Sequence, residues 1–169
     1  MMTKTPEDDN VRLVPATRDD APLLENLLQL YIHDLSEAFS VDLDEKGRFA
    51  YPPLPRYWSE PDSRFAFLIH AGARVVGFVF VTVGSPASED PDVYDIAEFF
   101  VLRRYRLGGI GRRAAFLTWD RFPGRWFVRV AEGNAGALRF WGSVIREYTR
   151  GEVEELQRAK WRVYSFDAR

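Results

Sequence analysis

The order of apolar and polar residues in the first part of the chain predicts one strand, one helix and one long loop. Residues 11–16 alternate and are rich in β-branched side chains, which is typical of a short strand. Apolar side chains then recur every three or four residues, which predicts an amphipathic helix over 21–38 with Asp20 as its N-cap. Residues 39–64 lose this periodicity and are rich in proline and aromatic side chains, which favours a binding loop over disorder.

The remainder of the chain predicts strands interrupted by two helices. Residues 65–71 and 74–83 predict a hairpin, because two β-rich runs flank a Gly-Ala dipeptide. The other predicted elements are strands at 94–102, 125–131, 151–156 and 160–167 and helices at 109–122 and 135–148. This order predicts a single mixed domain of the α/β or α+β class over 11–169, preceded by a flexible polar tail at 1–10.

The composition excludes several classes of function. The chain contains no cysteine, which excludes disulfides, thiolate catalysis and thiolate metal ligands. Only His33 and His70 are available for a histidine-based zinc site or a catalytic triad, so no metal is expected. The net charge of −2 disfavours nucleic acid as a partner. The sequence shows neither a membrane-spanning apolar run nor a signal peptide, which predicts a cytoplasmic protein without a membrane partner.

The stretch FFVLRRYRLGGIGRRAAF, at 99–116, combines five arginines and three glycines between a predicted strand and a predicted helix. The first N–H groups of a helix lack intrahelical partners and attract anions. Glycine lets the backbone approach a phosphate closely, and the arginine side chain matches phosphate oxygens. The stretch therefore predicts a phosphate or pyrophosphate site formed by Arg106, Gly108, Gly109, Gly111 and Arg112. The alternative is a glycine-containing turn whose arginines are only solvated.

A dinucleotide-binding motif is one interpretation of these glycines. Residues 109–114, GIGRRA, fit the pattern GxGxxA, with Glu132 as the candidate ribose-binding acid after the next strand. Two features count against this interpretation. Residues 103–107 separate the strand from the first glycines, whereas the dinucleotide fold turns almost at once. In addition, too little chain follows to complete a doubly wound sheet.

A second motif extends beyond the turn. Residues 106–111, RLGGIG, fit (R/Q)xxGxG, and residues 134–141, NAGALRFW, are similar to NxxAxxFY. With the apolar strand before them and the order of the elements, these segments make the chain resemble the GNAT superfamily of acetyl-CoA-dependent N-acetyltransferases. The resemblance implies a mixed, mostly antiparallel central sheet flanked by helices in a single domain. It also implies acetyl-CoA as co-substrate and an amine as acceptor. Dimers are common in the superfamily, so a homodimer is a further expectation.

The resemblance also assigns residues to acetyl-CoA. The pantetheine arm is expected along the end of the strand before the turn, and the pyrophosphate on backbone N–H groups of the turn. The residues implied are Phe100, Val101 and Leu102 on the strand, Arg106, Leu107, Gly108, Gly109, Ile110, Gly111 and Arg112 in the turn, and Asn134, Phe140 and Trp141 beyond the next strand. Asn134 is equally typical of a helix N-cap, and Phe140 of a core residue. A backbone N–H near Val101 is the expected oxyanion donor.

Two carboxylates on this strand are candidates for the general base that the resemblance implies. Glu98 is preferred, since its apolar neighbours predict partial burial and a raised pKa, and Asp95 is the alternative. In a regular strand the two side chains point to opposite faces, so at most one lines the site. The family often has a tyrosine as general acid where this chain has Trp141, whose indole cannot usefully give up a proton. The acid is then Tyr148, Ser143 or water, or none is needed.

The acceptor amine is the least specified part of the prediction. In the superfamily its site is built from the segment after the first helix and from the last hairpin. Acidic residues at Glu37, Asp42, Asp44, Glu45 and 88–95 favour a small cationic amine, unless they are only solvated loop charges. A protein or peptide amine is the alternative acceptor. A CoA- or acyl-CoA-binding module with little or no transferase activity is the alternative function.

Overall fold

One seven-stranded sheet runs through residues 10–169, the part of the chain that this computed structural model describes. The strands are β1 (Val11–Pro15), β2 (Arg64–Ala71), β3 (Arg74–Val83), β4 (Tyr94–Val101), β5 (Gly124–Ala131), β6 (Glu154–Arg158) and β7 (Trp161–Ala168). Their order across the sheet is β1-β2-β3-β4-β5-β7-β6, and each neighbouring pair is antiparallel except β4 and β5. The expected single mixed domain with a mostly antiparallel sheet is confirmed. The predicted tail at 1–10 lies, apart from Asn10, outside the described residues.

The helices that flank the sheet in this part of the chain are α1 (Ala21–Leu35), α2 (Arg56–Ser59), α3 (Ile110–Arg121) and α4 (Ala135–Thr149). The order of predicted elements is confirmed, with α2 added inside the expected loop at 39–64. β6 begins at Glu154 rather than at 151, because Arg150 (φ 55) and Gly151 (φ 88) form the left-handed end of α4. Within residues 10–169, no helix is both long enough and apolar enough to cross a membrane.

The two faces of the sheet are covered by different parts of the chain. α3 and α4 pack on one face, over a core that includes Trp119, Trp126 and Ile145. α1, α2 and the segment between them cover the other face, over a core that includes Leu28 and Phe78. Successive side chains of a strand point to opposite faces, so the central strands contribute to both cores.

The antiparallel sheet decides against the dinucleotide-binding interpretation of the glycines. That interpretation requires an open and mostly parallel sheet, whereas β4 and β5 form the one parallel pair of the described sheet. Its candidate acid, Glu132, is exposed and forms an ion pair with Arg162 at 3.4 Å. The match to GxGxxA therefore does not indicate a dinucleotide-binding fold.

Candidate active site

β4 and β5 separate after a short parallel contact, and we call the gap between them the fork. The two strands pair over only two residues each, ending at Asp95 and Phe127, whereas β4 pairs with β3 as far as Val101. From residue 96 onward, the backbone polar groups of β4 that face β5 have no strand partner in the described part of the chain. An open strand edge of this kind can pair with an extended ligand.

The strand end beside the fork offers its backbone rather than its side chains. Phe100 is 4% exposed and belongs to the core under α1, whereas Val101 is 6% exposed and belongs to the core under α3. The backbone N–H of Leu102 donates to the Val76 carbonyl oxygen (2.8 Å). The side chains of Phe100 and Val101 are therefore used in packing, and a ligand in the fork meets mainly main-chain atoms.

A bulge in β4 brings the two candidate carboxylates to the same face of the sheet. Glu98 pairs with Phe80 and Asp95 pairs with Thr82, whereas Ala97 is an extra residue without a partner. Phe80 and Thr82 share one face of β3, so the residues opposite them share that face of β4. The expectation of opposite faces is wrong, because it assumed a regular strand.

Glu98 is half-buried and is held by two tyrosine hydroxyls. Tyr31 Oη donates to Oε2 at 2.5 Å, and Tyr51 Oη donates to Oε1 at 3.0 Å. Burial raises the pKa of Glu98 above its ordinary value, although the two hydroxyls favour the carboxylate and oppose this shift. Among residues 10–169 no cation forms an ion pair with Glu98. The carboxyl group can therefore exchange a proton without breaking a salt bridge.

Asp95 has a different environment at the base of the fork. It is fully buried, and the guanidinium of Arg129 donates to both carboxylate oxygens, each at 2.9 Å. Ser85 Oγ also donates to this carboxylate. Since Arg129 belongs to β5, the ion pair ties β4 to β5 at the point where the strands separate. A bidentate pair of this kind fixes both groups in position.

The turn between β4 and α3 presents backbone N–H groups that lack intrahelical partners. The first hydrogen bond into α3 runs from the N–H of Arg113 to the Gly109 carbonyl oxygen (2.9 Å), so the N–H groups before it lack intrahelical partners. Gly109 has a left-handed φ of 92°, which favours glycine, and no acidic residue lies in the first turn of the helix. Leu107 and Gly108 are exposed next to these N–H groups. The turn therefore fits a phosphate.

The two arginines expected at the phosphate are bound to protein groups. Arg106 donates from Nε to the Val101 carbonyl oxygen (2.7 Å) and from Nη2 to Asp34 on α1 (2.6 Å). Arg112 forms an ion pair with Glu147 on α4 (2.6 Å). In each ion pair at least one of the two side chains is exposed to solvent, and exposed ion pairs contribute little to stability. A phosphate can therefore compete for either guanidinium.

Gly111 lies at a close contact between α3 and α4. A Cβ at this position would lie 3.2 Å from the Phe140 ring, so the ring would have to shift by a few tenths of an ångström. Phe140 in turn packs against Phe99 of β4 and Trp141 of α4, with ring centroids 5.9 Å and 4.9 Å away. Gly111 thus lets α3 approach α4 beside the fork, and the expected core role of Phe140 is confirmed.

Asn134 and Trp141 also have structural partners. The side-chain oxygen of Asn134 accepts the N–H of Ala137 (3.1 Å), so Asn134 is the N-cap of α4. Trp141 is 7% exposed, and its ring lies edge-on to Phe99 at 4.9 Å. The indole therefore fills the core under β4, where a smaller phenol would leave a gap.

The segment after α1 meets the terminal hairpin on the same face of the sheet as Glu98. The Phe39 ring lies 5.6 Å from the Trp161 ring. The guanidinium of Arg129 lies 5.7 Å from the Trp161 ring centroid, and Lys160 Nζ lies 5.2 Å from that of Phe39. Aromatic and cationic groups thus line the side of the site where the acceptor is expected.

Most of the acidic residues expected to attract a cationic amine lie at the surface, but Asp95 of the 88–95 stretch is fully buried and bound by Arg129. Glu37, Asp42, Asp44 and Glu45 are all exposed. Asp44 accepts hydrogen bonds from two backbone N–H groups of its own loop, which is a local structural role. The structure supports the interpretation of the exposed acids as solvated loop charges. In the described range, no group of three or more histidine, aspartate or glutamate side chains is placed to hold a metal ion.

Sequence inspection does not identify Tyr31, Tyr51 and Arg129 as site residues. Tyr31 fits the apolar stripe of the first helix, and Tyr51 is one of several aromatics in a loop. Arg129 is a charged residue within an otherwise apolar strand, WFVRV, and that interruption is the available signal. A half-buried arginine is stabilised by a carboxylate partner, which Asp95 supplies.

Comparisons with known proteins agree with this geometry. A model of the acetyltransferase (GNAT) family matches residues 24–143. The fold is similar to that of an acetyltransferase from Thermus thermophilus, with 19% identity, a TM-score of 0.66 and coverage of 94% of this chain and 97% of that one. A comparison with curated protein sequences found no significant match.

Two further solved structures have the same fold. One is the spermidine/spermine N-acetyltransferase SpeG from Vibrio cholerae, with 10% identity, a TM-score of 0.59 and coverage of 96% of this chain and 95% of that one. The other is the ribosomal-protein-S18-alanine N-acetyltransferase from Escherichia coli, with 11% identity, a TM-score of 0.60 and coverage of 94% of each chain. Identities this low show a shared fold, but the family model spans well over half of the sequence. The chain belongs to the GNAT family of acetyltransferases.

Proposed function

We propose that this protein is an acetyl-CoA-dependent N-acetyltransferase that uses Glu98 as the general base for a primary amine in a ternary complex. The observation that carries the proposal is the environment of Glu98, which is half-buried, bound by two neutral hydroxyls and on the strand that borders the fork. Asp95 is less suited to this role, because Arg129 and Ser85 already bind its carboxylate.

The fork and the turn would hold acetyl-CoA at two points. The open edge of β4 at 96–101 suits the amide groups of a pantetheine arm, which can pair with it as an added strand would. The free N–H groups at the start of α3 suit a pyrophosphate, with Arg106 and Arg112 as exchangeable partners. When bound, acetyl-CoA supplies the acetyl group in activated form, as a thioester.

In this proposal Glu98 accepts the proton that the amine nitrogen loses during transfer. An acceptor that is cationic in solution first loses one proton to solvent, because only the neutral amine can attack. The attack then forms a C–N bond, breaks a C–S bond and releases a second proton from the nitrogen. The carboxylate of Glu98 accepts that proton, directly or through one water molecule. Its raised pKa brings the group closer to neutral pH, where a general base works best. The backbone N–H of Val101 is proposed to stabilise the charge that develops on the carbonyl oxygen.

The candidate general acids are poorly placed, so solvent is proposed to protonate the leaving thiolate. The hydroxyl of Tyr148 donates to Asp120 (2.9 Å), and burial together with Asp120 raises the pKa of Tyr148 to about 12. Ser143 is exposed on α4, and the buried indole of Trp141 is no acid. An ordinary thiol has a pKa of about 8.5, so a free thiolate is a tolerable leaving group near neutral pH.

The acceptor is proposed to be a small amine, cationic before transfer, with a protein or peptide amine as the alternative. Support for a small molecule comes from the aromatic contact between Phe39 and Trp161 on the side of the site where the acceptor is expected. Because the loop acids are exposed, they can steer a cation only from the surface. Two relatives with this fold are named as acting on spermidine/spermine and on a ribosomal-protein alanine, so both acceptor classes occur on it.

A thermal melt tests the acetyl-CoA assignment. Acetyl-CoA, CoA and NADP are each added at about 100 times a plausible Kd, which stabilises a binding protein by about 2.7 kcal/mol. For a domain of this size the expected rise in Tm is roughly 5–10 °C. A rise with acetyl-CoA and CoA, but not with NADP, is the expected result. No rise with acetyl-CoA would contradict the assignment.

A panel of primary amines then tests for transfer, with released thiol as the signal. Wild-type protein is expected to release thiol with at least one amine, and Glu98→Gln is expected to lose most of that activity. Acetyl-CoA binding without thiol release across the panel would favour the second function, a CoA- or acyl-CoA-binding module. The tryptophan at the family's tyrosine position is the observation that supports this alternative.

A further inference from the structure

The carboxylate of Glu98 is oriented by side chains from two other parts of the chain. Tyr31 comes from α1 and binds Oε2, whereas Tyr51 comes from the segment between α1 and α2 and binds Oε1. Burial raises the pKa of both tyrosines, with the nearby Glu98 as the next cause, so both hydroxyls stay protonated and remain donors. A carboxylate oxygen has two lone pairs. Each oxygen of Glu98 therefore keeps one for the proton of an acceptor.

The segment that carries Tyr51 is itself fixed to α1 by a side chain. Gln29 Nε2 donates to the Phe49 carbonyl oxygen (2.9 Å), and the Phe49 N–H donates to Gln29 Oε1 (2.8 Å). Gln29 lies two residues before Tyr31, and Phe49 lies two residues before Tyr51. The amide of Gln29 therefore fixes the position of Tyr51 relative to Tyr31.

We propose that Tyr31 and Tyr51 are positioning residues that fix the Glu98 carboxylate, and that Gln29 keeps Tyr51 in place. The proposal rests on the proposed role of Glu98 as general base. It adds residues of α1 and of the segment at 36–55 to those that β4 contributes to the site. This segment has little regular secondary structure, so its hydrogen bonds to α1 and Glu98 specify its position.

The other ionisable groups near Glu98 interact mainly with residues other than Glu98. Arg129 faces it from β5 but is bound by Asp95 of β4, so these two charges largely cancel. Tyr57 approaches from α2, and its buried hydroxyl donates no hydrogen bond to Glu98, whereas its ring packs on Phe80 at 4.4 Å. Tyr57→Phe is therefore a control that removes a hydroxyl next to that of Tyr51 without removing a hydrogen bond to Glu98 itself.

The first experiment measures the Glu98 carboxyl directly, by NMR titration of protein labelled with 13C at glutamate carboxyl carbons. The Glu98 signal is identified by its loss in Glu98→Gln. Tyr31→Phe keeps the volume and burial but removes one donor to the carboxylate. We expect the pKa of Glu98 to rise by about one further unit, the equivalent of one hydrogen bond to a charged group. Tyr51→Phe should give a smaller rise, since its bond is longer, and Tyr57→Phe should give none.

Two outcomes would overturn the proposal. One is an unchanged or lowered Glu98 pKa in both Tyr31→Phe and Tyr51→Phe. The other is an equal rise in Tyr57→Phe, because the effect would then not require a hydrogen bond to Glu98. Gln29→Ala is expected to reproduce the Tyr51→Phe result, and the combination of these two changes should add little. If Tyr31→Phe does not fold, Tyr51→Phe and Gln29→Ala carry the same test.

The second experiment uses the most active amine of the panel. The acid limb of kcat/KM should move to higher pH in Tyr31→Phe by the same amount as the NMR titration, with the acetyl-CoA-induced rise in Tm unchanged. A uniform loss of rate without a moved limb would indicate a purely structural role. If no amine is acetylated, the proposed function fails, but the NMR titration still decides whether the tyrosines position Glu98.

Discussion

Asp95 and Glu98 lie on the same strand and the same face of the sheet, yet they have opposite kinds of partner. Asp95 is bound by a guanidinium and a hydroxyl, in a part of β4 that still pairs with β5. Glu98 is bound by two neutral hydroxyls, in a part of β4 that β5 has left. The arginine commits one carboxylate to holding the strands together, and the neutral donors leave the other able to bind a proton.

The difference shows how the charge of a partner decides the use of a buried acid. The guanidinium of Arg129 binds both oxygens of the Asp95 carboxylate, and a bidentate pair of this kind fixes the two groups in one geometry. A tyrosine hydroxyl can donate to the carboxylate without adding a formal charge, so protonation costs only part of a hydrogen bond. The roles of the two carboxylates can be distinguished by changing each acid and its surroundings separately.

The largest expected effect is that of Glu98→Gln on turnover. The change keeps shape and polarity but removes the proposed base, so kcat/KM should fall by roughly 10²–10⁴-fold. Acetyl-CoA binding should stay within a factor of about two, measured as the rise in Tm with ligand. A variant with full turnover would show that Glu98 is not the base and that the contrast with Asp95 has no catalytic meaning.

The next largest effect is that of Asp95→Asn on stability. Removing the charge leaves the half-buried guanidinium of Arg129 without its counter-ion, which should lower the free energy of unfolding by about 3 kcal/mol. The corresponding fall in Tm is roughly 6–12 °C. Asp92→Asn is the control, because Asp92 is exposed, and it should change stability by less than about 0.5 kcal/mol. Equal effects of the two changes would remove the structural role assigned to Asp95.

A smaller effect is expected for Gly109→Asp on acetyl-CoA affinity. The change forces a left-handed φ of 92° on a residue with a Cβ and adds a negative charge at the proposed pyrophosphate position. We expect Kd to rise about tenfold or more, equivalent to about 1.4 kcal/mol. Gly47→Asp is the matched control, since Gly47 has a φ of 70° with open space around it in a different loop. Equal loss of affinity in both variants would contradict the pyrophosphate assignment.

The smallest effect is a pH dependence of stability that comes from Glu98. Its pKa is raised in the folded protein, so the folded state binds more protons there than the unfolded state once the pH exceeds the ordinary value of 4.5. The free energy of unfolding should therefore fall as the pH rises through the folded pKa. The fall should be roughly 1.4 kcal/mol for each pH unit by which the folded pKa exceeds the unfolded one. Denaturant unfolding of wild type and Glu98→Gln between pH 4 and 8 measures this difference. Parallel curves would mean that the pKa of Glu98 is not raised.

The sequence was sufficient to predict the order of elements and the position of Glu98, because both depend on local patterns. Each long strand and helix has its own periodicity, and the apolar neighbours of Glu98 indicate its partial burial. The partners of Glu98 could not be predicted in this way. Tyr31 is 67 residues away in the chain, and the strand order that brings α1 over β4 is a property of the whole fold.

The partners of the arginines in the turn also could not be predicted from local patterns. Their number predicts a cationic surface, and the motif predicts that Arg106 faces a phosphate. Asp34, 72 residues earlier, instead accepts a hydrogen bond from that guanidinium, which no spacing within the turn could indicate. The bulge at Ala97 was also beyond local prediction, since AEFF fits a regular strand as well as a bulged one.

The extra residue at Ala97 also affects how this chain should be aligned with its relatives. Upstream of the bulge, odd-numbered positions such as Asp95 face α1, and downstream of it even-numbered positions such as Glu98 and Phe100 do. A relative with a regular strand would place its corresponding pair of acids at an even spacing. A gap-free alignment would then match the base of one protein to a core residue of the other. Deleting Ala97 should make β4 regular at this point and keep Glu98 on the same face as Asp95, two positions after it.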